Sequence, residues 1–537
     1  MSLNARTLAA QPSAPARTRP VDLDTAVFWT SVVAIAATAL VLRLYHLVSY
    51  VAFYPDSYGQ LRAAENLASL QFPISYYYPP GIALFLAPFF AVLPDSLLTM
   101  QIAILAAGLA LVGVAYAWGV AATGDRRAAL IYAFAVAIGA TFVFHSRIAL
   151  FEVINTLLIA SSLWLAPAAV RRGPAAWVGY GVLAFAMVTA RYTNVIVLPA
   201  LVLAAMGGSA QRPSWRQAIA IARSPAALVA GLVVLALGAV YIGTAHENLT
   251  RFTSSENASI VGFDGYGARL LYYTQASLNG YSADLGFTES VAAGVLLALA
   301  LVGAQRLWRS NPSLLVAIVY LAAVWGPVHA LYEGAYLPWI PRYATAVYFI
   351  LLLPASIGLS AALDGWQRLD RPWQRVPAAG FLALSVTLVA SAQLSQDLTF
   401  FSQLYDSPAA RTEASFAEIR RALRETDGEN ALLISSQILA VDRANPEMDG
   451  FDLARHSSSY GINDDSVRRF VAYVDEQLAK GRTVYYYYTP YEAAQSKLHR
   501  YELGFDAYFS GLQEHFSLVE LARVDERPHR LYLVEPP

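Results

Sequence analysis

Cysteine is absent from this chain of 537 residues, so neither a disulfide nor a thiolate metal site can form. Charge is scarce too: 14% of residues are Asp, Glu, Lys or Arg, against about a quarter in a soluble domain. The net charge of −1 says nothing by itself about nucleic-acid or acidic partners, and no nucleic-acid partner is expected. Lysine is almost missing, with only Lys480 and Lys497, so arginine carries nearly all the basic charge. No glycine-rich phosphate loop and no internal repeat stand out. A cleavable leader is not visible either. Residues 1–25 are polar and rich in Ala and Pro, and the apolar run that follows is too long for a signal-peptide core.

What the chain does have is hydrophobic length. Hydrophobic residues make up 57% of it, and mean hydropathy is +0.44. A membrane-spanning helix needs about 20 apolar residues. Runs at 26–48, 97–121, 127–145, 150–170, 175–190, 192–206, 224–245, 288–306, 313–332, 342–363 and 376–394 suggest about eleven spans, the fifth and sixth short. Arginine gives an independent check, because cytoplasmic connections carry the positive charge. Every second connection is arginine-rich: Arg126 and Arg127; Arg171 and Arg172; Arg212, Arg216 and Arg223; Arg306 and Arg309; Arg368, Arg371 and Arg375. The expectation is an α-helical polytopic protein of the plasma or inner membrane, with residues 1–25 as a cytoplasmic tail and residues 26–395 as the bundle.

An odd number of spans puts residues 400–537 outside the cell. From residue 401 onward 22 acidic residues stand against 15 basic ones, a soluble character. Ala431–Ser436, Thr483–Tyr488, Phe516–Val524 and Arg530–Val534 have strand patterns, and Arg411–Glu425 and Asp465–Ala479 have helical ones. A small extracytoplasmic α/β domain follows.

The outward connections carry the chemistry. The first, residues 49–96, contains Asp56, Arg62, Glu65 and the run Ser75-Tyr-Tyr-Tyr-Pro-Pro-Gly81. The apolar stretch Ile82–Val92 after that run is too short to span and reads as an interfacial segment. The second connection is Phe144-His-Ser-Arg-Ile-Ala-Leu-Phe-Glu-Val153, and the third is Thr189-Ala-Arg-Tyr-Thr-Asn194. Residues 246–287 form a long polar fourth, with His246, Glu247, Arg251, Asp264 and Arg269, and the fifth runs from His329 to Tyr343. Arginines at helix ends on this face run against the positive-inside bias, and Arg62, Arg147, Arg191 and Arg342 therefore need a cause. Arginine's fork matches phosphate oxygens. Each also has an ordinary explanation: Arg147 and Glu152, five apart across a tight turn, can satisfy one another, and Arg191 or Arg342 can snorkel to headgroups. Asp56 follows a proline and can cap the next helix. Convergence of these groups on one face favours a site for a lipid-linked phosphate.

The set Arg43-Leu-Tyr, Tyr54-Pro-Asp-Ser-Tyr, Tyr78-Pro-Pro-Gly, Ser146-Arg with Glu152, Ala190-Arg-Tyr-Thr and Pro341-Arg-Tyr-Ala resembles the C-type (GT-C) membrane glycosyltransferases. Within them it is most similar to glycosyltransferase family 39, the protein O-mannosyltransferases and aminoarabinose transferases of lipid A. The likeness covers residues 26–395. It implies transfer of a sugar from a polyprenyl-phosphate donor, on the extracytoplasmic side, to a lipid, glycan or protein acceptor. Asp56 takes the position of the family's catalytic carboxylate, and Glu152 that of its second acidic residue, where Asp is usual. Arg62, Arg147, Arg191 and Arg342 would bind the donor phosphate, with Tyr192 and Tyr343 lining the pocket. The family's acidic pair after the first helix is here Asp56-Ser57, so no metal is assigned and no cofactor is required, although a divalent ion is compatible with the chemistry.

Three other classes compete. A polymerase or block transferase with a lipid-pyrophosphate donor would share the basic outer face. A transporter would place ionisable groups near the midplane, whereas these spans are nearly charge-free inside. A bundle serving only to anchor the C-terminal domain would not need eleven spans.

Overall fold

The computed structural model describes residues 25–45, 55–71, 80–93, 97–147, 150–207, 213–244, 265–280, 287–331, 342–406, 408–436, 438–441, 444–445, 447–453, 456, 463–488, 506–524 and 529–537. The N-terminal tail, residues 246–264 with their charged groups, and residues 72–79, which include the start of the Tyr78-Pro-Pro-Gly motif, lie outside them.

In chain order the helices of the first half are α1 (Thr25–Leu44), α2 (Pro55–Ala68), α3 (Gly81–Phe90), α4 (Leu97–Thr123), α5 (Arg126–Ile138), α6 (Ala140–His145), α7 (Glu152–Arg171) and α8 (Pro174–Ala190). A 3-10 turn (Tyr192–Val197) leads into α9 (Leu198–Ala205), followed by α10 (Trp215–Ala222) and α11 (Pro225–Thr244). Then come α12 (Tyr266–Asn279), α13 (Phe287–Ser310), α14 (Pro312–Ala330), a short 3-10 turn (Arg342–Ala344), α15 (Thr345–Gln367) and α16 (Pro372–Asp406).

Eight of the described helices are long and apolar enough to cross a membrane: α1, α4, α7, α11, α13, α14, α15 with its preceding turn, and α16. The remaining three expected spans take shorter forms. The run 175–190 is the 17-residue α8, and 192–206 is a 3-10 turn joined to the 8-residue α9. The run 127–145 breaks at Gly139 into α5 and α6. A break inside hydrocarbon frees backbone groups that water cannot satisfy. Here side chains satisfy them. Arg43 of α1 donates to the carbonyls of Val136 and Ala137 at 3.1 and 2.9 Å, and Gln393 of α16 accepts the N–H of Ala140 at 3.0 Å.

Close helix packing depends on a few glycines. A Cβ on Gly303 of α13 would lie 1.8 Å from the carbonyl oxygen of Pro354, and one on Gly358 of α15 would lie 1.9 Å from that of Leu299. These two helices therefore touch backbone to backbone, as small residues allow in membranes. At the end of the bundle expected to face the cytoplasm, Asp364 accepts from Arg127 and Arg306, each at 3.0 Å.

Past the bundle, α16 runs on without a break to Asp406. The C-terminal region holds α17 (Pro408–Glu425), β1 (Ala431–Ser435), α18 (Ile438–Val441), β2 (Asp449–Asp452), α19 (Asp464–Ala479), β3 (Thr483–Tyr488), α20 (Asp506–His515), β4 (Ser517–Val524) and β5 (His529–Glu535). Its sheet has the order β2-β1-β3-β5-β4, parallel across the first three strands and antiparallel in the last two pairings. Alternation along β3 sends Tyr485 and Tyr487 to a core with Phe416, Ile419 and Leu423 of α17. Val484 and Tyr486 face the other side, against Phe470 and Val474 of α19 and Tyr508 and Leu512 of α20. The result is a three-layer α/β domain. Its α18 packs on α2, so this domain and the helix carrying Asp56 lie at the same end of the bundle.

Candidate active site

Glu152 is the first residue of α7 and is 1% exposed. A helix N-terminus favours a carboxylate, but burial at this depth also requires opposite charge. Two arginines supply it. Arg191 Nη2 and Arg342 Nε both donate to Glu152 Oε1, at 2.5 and 2.6 Å, while Oε2 has no hydrogen-bond partner among the described residues. The partners are 39 and 190 residues away in sequence.

Each arginine is held by the local backbone. Arg191 is the extended residue between α8 and the following 3-10 turn. That junction is fixed from two sides. Asn194 Nδ2 donates to Asn155 Oδ1 and to the carbonyl of Met187, both at 2.7 Å. Gly81, the first residue of α3, lies so close to the last turn of α8 that a Cβ there would be 2.1 Å from the oxygen of Ala186 and 2.3 Å from the nitrogen of Ala190. The glycine of the Tyr78-Pro-Pro-Gly motif thus admits α3 beside Arg191. Arg342 opens the 3-10 turn before α15, and its carbonyl accepts from Thr345 Oγ1 at 3.1 Å.

Aromatic rings wall the trio. The Arg191 guanidinium lies 4.1 Å from the Tyr343 ring centre and 4.8 Å from that of Phe151, and Arg342 lies 5.4 Å from Phe151. Cation–π contacts of this kind favour the charged form where water is scarce. Tyr343 is itself held by Trp325, whose Nε1 donates to its carbonyl at 2.6 Å. His329 packs 5.2 Å from Tyr343 and 4.7 Å from Trp325. Its Nδ1 donates to the carbonyl of Trp325 at 2.9 Å, which leaves Nε2 to accept from Thr193 Oγ1 at 3.3 Å.

The structure brings together Glu152, Arg191, Arg342 and Tyr343. Arg147 and the Tyr192 hydroxyl make their contacts elsewhere. Arg147, 2% exposed, has no ion pair with Glu152: it donates to the carbonyl of Tyr45 beside α1, and Arg191 and Arg342 occupy the carboxylate. Neither Arg191 nor Arg342 snorkels, each side chain being 9% exposed. The Tyr192 hydroxyl is 3.1 Å from that of Tyr241 on α11. Arg62 lies on the exposed face of α2. Asp56 falls in the first turn of that helix, after Pro55, and its side chain is outside the described residues. The sequence does not single out Thr193 and His329 as site residues. Their hydroxyl and ring gain meaning only from their contacts with one another, Trp325 and Tyr343. Among the described residues no group of three His, Asp or Glu side chains is placed to hold a metal ion.

The fold of the bundle with its appended domain is similar to that of several solved structures, among them two at low identity. The first is ArnT from Cupriavidus metallidurans bound to undecaprenyl phosphate: 14% identity, a TM-score of 0.63, and coverage of 94% of this chain and 97% of that one. The second is the archaeal oligosaccharyltransferase AglB from Archaeoglobus fulgidus, in complex with an inhibitory peptide and a dolichol-phosphate: 12% identity, a TM-score of 0.54, and coverage of 95% and 76%. No protein-family model and no curated protein sequence matches the chain.

Proposed function

We propose that the protein is a membrane glycosyltransferase that moves a sugar from a polyprenyl-phosphate carrier to an extracytoplasmic acceptor in one inverting displacement. One observation carries the reading: Arg191 and Arg342 converge on buried Glu152 at the end of the bundle that also carries α2. Two guanidinium groups around one carboxylate leave the trio with one positive charge in excess. A sugar linked to a polyprenyl phosphate is a phosphodiester with one negative charge, so the donor neutralises the site.

In the reaction the acceptor oxygen attacks the anomeric carbon, the bond from that carbon to the phosphate oxygen breaks, and the acceptor proton passes to Asp56 as general base. Charge grows on the departing phosphate, where Arg191 and Arg342, with Arg62 as a third contact, stabilise it. Glu152 holds the two buried arginines in place before donor arrives. Tyr343 and Tyr192 line the pocket. A phosphate leaves readily, so one carboxylate suffices, unlike the pair that hydrolytic glycosidases use. The fold likeness to proteins solved with undecaprenyl phosphate and dolichol-phosphate supports this donor class.

The test is titration of the purified protein in nanodiscs with undecaprenyl phosphate. Arg191→Ala and Arg342→Ala should each weaken binding by about tenfold to a hundredfold, the loss of one or two charged hydrogen bonds. Lysine at either position should recover only part, because it cannot make the forked contact. Unchanged affinity in both alanine variants would remove the phosphate from this site.

The proposed orientation places the C-terminal domain outside the cell. In this cysteine-free chain, single thiols at exposed Gly173 and Arg371 should be protected from an impermeant reagent added to intact cells, and one at exposed Gly481 should react. The reverse pattern would overturn the orientation and the extracytoplasmic acceptor together.

A further inference from the structure

Among the described residues, Glu152 Oε2, Arg191 Nε and the Tyr273 hydroxyl are buried polar atoms with no hydrogen-bond partner. Leaving such an atom unpaired is costly, and native chains rarely do so without a cause. Two of the three belong to one ion pair, Glu152 with Arg191. The third lies one ring away. The Arg191 guanidinium sits 4.1 Å from the Tyr343 ring centre, and the Tyr273 ring centre is 6.3 Å from that of Tyr343 and 6.2 Å from that of His329.

The local structure shows why Tyr273 is there. It lies on α12, one turn after Arg269 and on the same face. Arg269 donates through Nε to the carbonyl of Ala330 at 2.6 Å, and the Tyr266 hydroxyl reaches the carbonyl of Pro327 at 3.4 Å. Both carbonyls belong to the last turn of α14, which also carries His329. These bonds dock α12 on that end of α14 and press Tyr273, 1% exposed, against the rings of the site. Its ring is held while its oxygen is left open to a ligand.

The three atoms differ in what they can give and take. Arg191 Nε is a donor, and a phosphate oxygen meets it. Glu152 Oε2 belongs to a carboxylate ionised by its two arginines, so it only accepts, and a phosphodiester has no donor to offer it. In a polyprenyl-phosphate sugar the donors are the hydroxyls of the sugar. The phenol of Tyr273 both donates and accepts, as a sugar hydroxyl does. A few polar atoms set among aromatic rings are also the usual lining of a small-ligand site. The unfilled atoms thus match the substrate in kind: phosphate at Arg191, sugar at Glu152 Oε2 and Tyr273.

We propose that Tyr273 is a specificity-determining residue, whose hydroxyl hydrogen-bonds a hydroxyl of the donor sugar while Glu152 Oε2 accepts from another. This contact rests on the glycosyltransferase reading above. It makes the sugar, and not the phosphate alone, a source of the donor's affinity.

Tyr273→Phe in nanodiscs tests this, because it removes one oxygen and nothing else. Binding is measured without any acceptor, to bare undecaprenyl phosphate and to undecaprenyl phosphate carrying mannose, glucose or galactose. The melting temperature of the unliganded protein is measured alongside. The variant should bind a sugar-bearing lipid about threefold to tenfold more weakly than the native protein does, the size of one neutral hydrogen bond. Its affinity for the bare lipid should not change. Its melting temperature should stay the same or rise, since an unpartnered buried hydroxyl adds nothing to the stability of the unliganded fold. An equal loss for the bare lipid would move Tyr273 to the phosphate, and no loss for any lipid would leave its hydroxyl to a water or to the acceptor. Either result overturns the proposal, as would a melting temperature several degrees lower, or a native protein that binds the bare lipid and none of the sugar-bearing ones. Failure of the native protein to bind any of these lipids would overturn the donor reading itself, and the sugar contact with it.

Discussion

Glu152→Ala is expected to be the most destabilising single substitution in the bundle, at about 3–5 kcal/mol, because it strands two buried arginines. Arg191 and Arg342 have side chains only 9% exposed, and neither can reach water without moving the turn that carries it. Glu152→Gln keeps the shape and one acceptor oxygen, so it should cost less while still removing the charge that holds the pair. Adding Arg342→Ala to Glu152→Ala should restore much of the lost stability, since one stranded cation then remains instead of two. Thermal unfolding in a mild detergent, followed by loss of binding competence, reads all three. A Glu152→Ala protein that melts with the native one would mean that the trio is not the buried charge centre described.

Asp56→Asn is expected to abolish transfer while leaving binding of undecaprenyl phosphate unchanged. The substitution keeps size and polarity and removes only the basic oxygen, and a general base is worth roughly a hundredfold to ten-thousandfold in rate. The position supports the assignment: Asp56 is in the first turn of α2, and α2 packs beneath the C-terminal domain at the end of the bundle where an acceptor would arrive. Normal turnover by the Asn variant would dismiss Asp56 as the base. Loss of both transfer and lipid binding would instead assign it a structural part.

These two predictions draw on features that were unequally visible in the sequence. Hydropathy and the alternation of arginine-rich connections located the membrane helices, since both are local properties of short windows. The same holds for the strands expected at Ala431–Ser436, Thr483–Tyr488, Phe516–Val524 and Arg530–Val534 and for the helices expected at Arg411–Glu425 and Asp465–Ala479, whereas the helices Ile438–Val441 and Asp506–His515 were not expected. β2 was missed because Asp449-Gly-Phe-Asp452 is short and polar, and it forms as an edge strand paired with β1. The split of the third span at Gly139 was hidden for another reason. A glycine in an apolar run does not announce a break, and the groups that make the break tolerable, Arg43 and Gln393, are 94 and 253 residues from the atoms they cap.

The active-site trio shows the same limit. The unusual arginines on the outward face were legible one by one, and so was Glu152, but local spacing suggested Arg147 as its partner. The chain instead places Arg147 on the far side of the turn and brings Arg191 and Arg342 to the carboxylate. Long-range pairing of this kind follows from helix packing, including the close approach at Gly81, which no window of sequence contains.

The central claim is that the arginine pair handles a single lipid phosphate carrying a sugar, and incubation of the purified protein with a panel of polyprenyl-phosphate sugars tests it most directly. Mass spectrometry of the released lipid should show polyprenyl phosphate accumulating from at least one donor, with no release by Asp56→Asn. Consumption of a pyrophosphate-linked oligosaccharide, with every monophosphate donor left intact, would contradict the account.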